Sequence, residues 1–208
     1  MKILKPLFWN KKNNLISILL LPISWLLQIL IKIKIIIHSE KKFNIPIICV
    51  GNIYLGGTGK TPLTILIANE LMKEKKKPAI IKKFYKKHLD EHNLIGKNTN
   101  CLFMNKDRKA SIKDAIDNLF DVAILDDGFQ DFSIKKDLNI LCFSSKQLEG
   151  NGMTLPSGPL RESMNAIKRA HIVVINGEKN KLFEAKILAI KDNVKIFYSN
   201  YIPTNIDN

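Results

Sequence analysis

Apolar residues fall into two regimes along this chain. From Leu15 to Ile31 they run almost unbroken for seventeen residues, interrupted only by Ser17, Pro22, Ser24 and Gln28. Ile33 and residues 35–37 extend the run past Lys32 and Lys34. Crossing a bilayer takes about 20 apolar residues. Pro22 breaks or kinks a helix in mid-run, and Trp25 suits a membrane–water interface. No small-residue cleavage site follows, which argues against a secretory leader. The pattern favours a helix or helix pair inserted in, or lying on, the cytoplasmic leaflet. A single span and a helix packed on the protein's own core are the alternatives.

After residue 45 the apolar stretches shorten and alternate with helical spacing. Residues 45–50 predict a strand, and Leu63, Ile67 and Leu71 predict a helix after it. Ala79–Lys82 reads as a short strand, and residues 83–100 as a polar, lysine-rich loop. Ile112, Ala115, Ile116 and Leu119 keep the i, i+3, i+4, i+7 rule of a helix. Val122–Leu125 and Leu138–Phe143 predict buried strands, and residues 150–159 a loop rich in glycine and proline. Arg161–Ala170 predicts a helix, His171–Ile175 a strand, Lys181–Ile190 a helix and Val194–Tyr198 a strand, before a polar tail over 199–208. Such alternation predicts an α/β fold, a mainly parallel sheet with helices on both faces and ligands at the carboxyl ends of its strands. Residues 1–44 form the expected membrane-associated segment and 45–208 the expected nucleotide-binding domain.

Charge sharpens the first regime. The 208 residues carry a formal charge of +14, almost all of it from lysine, since only Arg108, Arg161 and Arg169 are arginines. Isoleucine and asparagine are abundant too, a joint bias that an AT-rich genome can produce. Residues 1–42 hold eight lysines against one acid, Glu40, so half the excess sits in the first fifth of the chain. Basic residues flanking an apolar run suit an anionic membrane face. Nucleic acid is the weaker partner, because the lysines are neither interleaved with aromatics nor set on a reading motif. Cys49, Cys101 and Cys142 are odd in number and widely spaced. They indicate no zinc site or disulfide framework, and are expected as buried free thiols.

Candidate chemistry begins at Gly56-Gly57-Thr58-Gly59-Lys60-Thr61-Pro62. Strand, glycine-rich turn, Lys-Thr and helix form the layout of a phosphate-binding loop. Backbone N–H groups at Gly56, Gly57, Thr58 and Gly59 are placed to close around phosphate oxygens at a helix N-terminus. Lys60 is expected on the β/γ-phosphates and the Thr61 hydroxyl on Mg²⁺. Tyr54 stands where the usual pattern has its first glycine. Downstream, Val122–Leu125 ends in Asp126-Asp127-Gly128-Phe129-Gln130. A carboxylate at such a strand end holds Mg²⁺ directly or through water, although Asp-Asp-Gly is also ordinary turn chemistry. Asp90 and Glu91 lie on the lysine-rich loop, where a carboxylate could serve as general base or simply be solvated charge. Leu155-Pro156-Ser157-Gly158-Pro159-Leu160-Arg161-Glu162 is a rigid turn with a charged pair. Arg161 could offer a planar fork to a phosphate, or the block could be a helix start capped by Glu162.

Together these segments, in this order, resemble the tetraacyldisaccharide 4'-kinases of lipid A biosynthesis. The resemblance rests on Gly51-Asn52, the 56–62 loop, Asp90-Glu91, Asp126–Gln130 and Leu155–Glu162, with Leu20–Leu26 matching the family's membrane-associated start. It implies a kinase with a P-loop NTPase-like fold that uses Mg-ATP. The acceptor would be the 4'-hydroxyl of a tetraacylated glucosamine disaccharide 1-phosphate, at the cytoplasmic face of the inner membrane. Carried over, Lys60 binds phosphates, and Thr61 with Asp126 holds the metal. Asp127 orders the catalytic loop, Asp90 is the base, and Arg161 and Glu162 stand near the reacting phosphate. Three positions depart from the family: Lys82-Lys83-Phe84-Tyr85 replaces an Arg-Gly-Tyr-Gly-like turn, Leu89 and His92 flank Asp90-Glu91 in place of glycine and proline, and Asp131 stands where histidine is usual. The sequence also stops near the end of the family's first lobe, so the second lobe is expected to be largely missing. Two rivals share the loop: a membrane-docked switch ATPase, and a truncated homologue that binds nucleotide or lipid without turnover.

Overall fold

The computed structural model describes residues 5–37, 39–84 and 101–200. Seven strands form one sheet: β1 (Ile47–Gly51), β2 (Pro78–Lys83), β3 (Leu102–Asn105), β4 (Val122–Asp126), β5 (Leu138–Ser144), β6 (Ile172–Asn176) and β7 (Lys195–Ser199). Their order is β3-β2-β4-β1-β5-β6-β7. The pairs β1/β4, β2/β4, β2/β3 and β6/β7 are all parallel. Among the described residues five α-helices accompany them: α1 (Leu15–Leu19), α2 (Leu21–Ile37), α3 (Lys60–Lys73), α4 (Arg108–Asp117) and α5 (Lys181–Ile190). Every residue of β4 is buried, so both of its faces are covered, which is why that strand reads as a continuous apolar run.

By contacts the chain divides into two units. One gathers residues 1–30, 53–58 and 141–208; the other gathers residues 31–52 and 59–140. The second unit contains β1 to β4, α3 and α4. Its core is Ile47, Cys49, Val50, Ala68, Ile80, Ile81, Ile112, Ile124 and Leu125. The three cysteines are free and buried, and burial pushes the Cys49 thiol up to about 12. In the first unit, Phe143 and Phe183 meet edge to face at 5.1 Å and seat α5 on β5.

Boundaries shift where local chemistry competes with periodicity. The apolar N-terminal run forms a helix pair. It breaks at Leu20, and Pro22 sits in the first turn of α2, where its missing N–H costs no hydrogen bond. The helix expected over Arg161–Ala170 is instead a 3-10 segment at Met164–Arg169, preceded by extended backbone at Ser163. β3 is a four-residue strand that the alternation did not reveal. The expected loop is undescribed over 85–100, and so is the tail over 201–208.

Candidate functional site

The second unit assembles one charged cluster at the carboxyl ends of β2 and β4. Gly59, at φ 85°, occupies the left-handed region and forms the N-cap of α3. That backbone suits glycine and turns the chain straight from loop into helix. Lys60, Thr61 and Pro62 are therefore the first three helical residues. Pro62 lacks an N–H at a position where that group has no intrahelical partner.

Thr61 turns its hydroxyl toward the end of β4, donating to Asp126 Oδ2 at 3.1 Å. Asp126 is fully buried, and its other oxygen, Oδ1, has no hydrogen-bond partner among the described residues. An unpaired, buried carboxylate oxygen beside a threonine hydroxyl is a donor set that suits Mg²⁺. That ion commonly takes one or two protein oxygens and completes its shell with phosphates and water. Among the described residues no group of three or more His, Cys, Asp or Glu side chains could hold a metal. Lys60 Nζ lies 3.7 Å from Asp127 Oδ1. Asp127 itself adopts φ 55°, a left-handed conformation that aspartate tolerates better than most residues. Its N–H donates to Val50 O at 2.9 Å, tying the acidic turn to β1. A side chain on Gly51 would collide with Phe129 Cβ, so a glycine there lets the strand end close against the turn.

Two basic residues that sequence reasoning left without a role complete the cluster. Lys82 Nζ lies 2.5 Å from Asp126 Oδ2. Arg108, at the start of α4, donates through Nη2 to the carbonyls of Asp126 at 3.3 Å and Asp127 at 2.8 Å. Its Nη1 lies 3.4 Å from Asp131 Oδ2. Burial alone would raise the Asp131 pKa. The Ser133 hydroxyl and N–H, with Arg108 and Lys136, outweigh it and hold the carboxyl below its ordinary value. The signal for Arg108 was its rarity among lysines. Lys82 carried no signal in the sequence: only the register of β2 on β4 sets it opposite Asp126.

Gly56, Gly57, Thr58, Arg161 and Glu162 belong to the first unit. There the Leu155–Glu162 block pairs with the residues that enter the glycine loop. Leu55 N–H donates to Pro159 O at 2.8 Å, and Arg161 N–H to Ile53 O at 2.6 Å. Tyr54, where a glycine is usual, is buried, and its backbone forms a β-bridge with Leu160. Lys5 Nζ lies 4.7 Å from the centre of the Tyr54 ring. Ser163 is the N-cap of the 3-10 segment, and Glu162 Oε2 accepts from Arg169 Nη2 at 2.7 Å. Asp90 lies outside the described residues.

In the same unit, α1 and residues 21–30 of α2 turn their hydroxyls inward. Ser24 Oγ contacts Thr154 O at 3.0 Å and Ser157 Oγ at 2.8 Å. Asn151 Nδ2 donates to Ser17 Oγ at 3.2 Å, and Gln28 Nε2 to Arg161 O at 3.3 Å. The buried residues of α1 and α2 are thus Ser17 and Ser24. Leu15, Leu19, Trp25, Ile36 and Ile37 are exposed, each by more than 60 %.

The chain matches the family of tetraacyldisaccharide-1-P 4'-kinases over residues 16–100 and 89–207. It is 47 % identical over its whole length to the tetraacyldisaccharide 4'-kinase of Pelagibacter ubique, covering 66 % of that protein. Against the enzyme of the same name from Coxiella burnetii it is 34 % identical, over 81 % of this chain and 59 % of that one. The chain therefore spans about two thirds or less of the length of these relatives. Among solved structures it resembles the LpxK of Aquifex aeolicus in complex with ATP, at a TM-score of 0.68 and 22 % identity, over 93 % of this chain and 86 % of that one. It also resembles the signal recognition particle receptor FtsY of Elizabethkingia anophelis with GDP, at 0.54 and 11 %, over 89 % and 68 %. At these identities the likeness speaks for a shared P-loop NTPase-like fold.

Proposed function

The chain belongs to the tetraacyldisaccharide-1-P 4'-kinase family, and we propose on that footing that it transfers the γ-phosphate of ATP to the 4'-hydroxyl of a tetraacyldisaccharide 1-phosphate in lipid A biosynthesis. The observation that carries this reading is the convergence of Thr61, Asp126, Lys60 and Asp127 at the carboxyl ends of β1 and β4. Mg-ATP would supply the phosphoryl group and the divalent charge that offsets negative charge developing on it. Thr61 and Asp126 would hold the metal. Residues 56–61 would wrap the phosphates, with the Lys60 ammonium on their terminal oxygens. Asp127, fixed by its N–H on Val50 and by Arg108 on its carbonyl, would order the catalytic turn. Asp90 would accept the proton of the acceptor hydroxyl, and Arg161 and Glu162 would flank the phosphate. Phosphoryl transfer asks mostly for such positioning and charge neutralisation.

Residues 1–44 would dock the enzyme on the cytoplasmic face of the inner membrane, with residues 45–208 as the kinase domain. No described helix is long and apolar enough to cross a membrane. Support comes from the inverted burial of α1 and α2, serines inward and large apolar side chains outward, beside a lysine-rich sequence. A helix of that kind suits a lipid surface.

Incubation with labelled ATP and the lipid disaccharide, with products resolved, tests the reading. Lys60→Ala is expected to lower turnover by at least a hundredfold with circular dichroism unchanged, and Asp126→Asn to raise the Mg²⁺ requirement. Wild-type turnover by Lys60→Ala would overturn the role given to the loop.

A further inference from the structure

Lys82 is the last but one residue of a strand that otherwise reads Pro-Ala-Ile-Ile before it. The parallel register of β2 on β4 sets it directly across from Asp126. Both side chains are buried, 7 % and 0 % exposed, with the ammonium 2.5 Å from Oδ2. The same oxygen accepts the Thr61 hydroxyl. A carboxylate removed from water needs a cation beside it, and here the chain supplies one from its own sheet. The charges described around the metal carboxylate leave no negative excess: Asp126 and Asp127 stand against Lys60 and Lys82, and Asp131 against Arg108 and Lys136. A free divalent cation meets no net attraction in such a cradle and must compete with an ammonium for the same carboxylate. A cation that arrives on a nucleotide brings the polyphosphate charge with it and meets lysines instead.

The geometry points to Lys82 as the specificity-determining residue of the metal site: it shuts out free divalent cations, so that the metal enters only as its nucleotide complex. This inference rests on the Mg-ATP reading given above. It adds a residue that belongs to neither the phosphate loop nor the acidic turn.

Electron paramagnetic resonance of unbound Mn²⁺, together with thermal melting in Mg²⁺, tests it without nucleotide or lipid. Wild type is expected to leave Mn²⁺ free at millimolar concentration and to melt at the same temperature with or without Mg²⁺. Lys82→Met is expected to melt lower, to bind Mn²⁺ at least tenfold more tightly than wild type, and to recover its melting temperature as Mg²⁺ rises. Adding Asp126→Asn to Lys82→Met should abolish both the Mn²⁺ binding and the Mg²⁺ response. Mn²⁺ binding by Lys82→Met no tighter than that of wild type overturns the proposal. Should Lys82→Met fail to fold, Lys82→Gln takes its place in the same measurement, and Mn²⁺ bound by wild type and lost in Asp126→Asn overturns the proposal. None of these measurements uses phosphoryl transfer. A chain that made no lipid phosphate would leave the metal result standing, and one that did could still lose this inference.

Discussion

Asp131 illustrates how much of the acidic turn depends on residues beyond its motif. Its carboxylate anchors Arg108, whose guanidinium holds the carbonyls of Asp126 and Asp127, and it also accepts the Ser133 hydroxyl at 2.7 Å. A carboxyl held below its ordinary value stabilises the fold above the unfolded pKa, and that contribution is lost as pH falls through the folded one. Asp131→Asn is therefore expected to cost about 1–3 kcal/mol near neutral pH. The gap to wild type should close in acid, as urea melts at neutral and strongly acidic pH would record. A constant gap would assign the loss to shape, not charge. Lys60, Thr61 and Asp126 were legible in the sequence because glycine spacing and a strand ending in acid are local patterns. Lys82 and Arg108 were not. Each is an ordinary basic residue until strand register and a helix start place it on the acids. Asp131 was visible only as a departure from its family's usual histidine.

At the scale of elements, the N-terminal helix pair runs against the rule that apolar groups are buried. Trp25 is 65 % exposed, whereas Trp9 is buried at 6 % with its Nε1–H on Pro156 O. Added anionic vesicles are expected to shift the emission of Trp25 to the blue and leave that of Trp9 in place. A Trp9→Phe variant isolates the signal, and an unshifted spectrum would remove the membrane role from α2. The pair itself was legible, because Pro22 in a long apolar run can only begin a helix or break one. β3 escaped notice because an edge strand of four residues, none of them fully buried, leaves almost no alternation to count. The 3-10 segment after Glu162 was read as a full helix because its apolar spacing is too short to separate periods of 3.0 and 3.6.

For the whole molecule, the parallel sheet was the most legible feature, since β2 and β4 bury all or nearly all their residues. The division into two units was not, because residues 53–58 and 59 onward are contiguous in sequence yet cluster apart. The formal charge of +14 belongs to this scale as well. If it steers the chain to anionic lipid, vesicle binding is expected to weaken severalfold between 50 and about 500 mM salt, as the screening length falls from roughly 14 Å to about 4 Å. Binding indifferent to salt would leave the apolar helices as the whole anchor. The hydroxyls of Ser17 and Ser24, with the Gln28 amide, add a constraint of their own. Two attachment points on one side of α2, with a third on α1 ahead of it, forbid the helix pair to roll about its long axis. In a leaflet, such a pair would keep one azimuth toward the acyl chains, and the backbone at Arg161, held by Gln28, would inherit a fixed heading relative to the plane of the lipid.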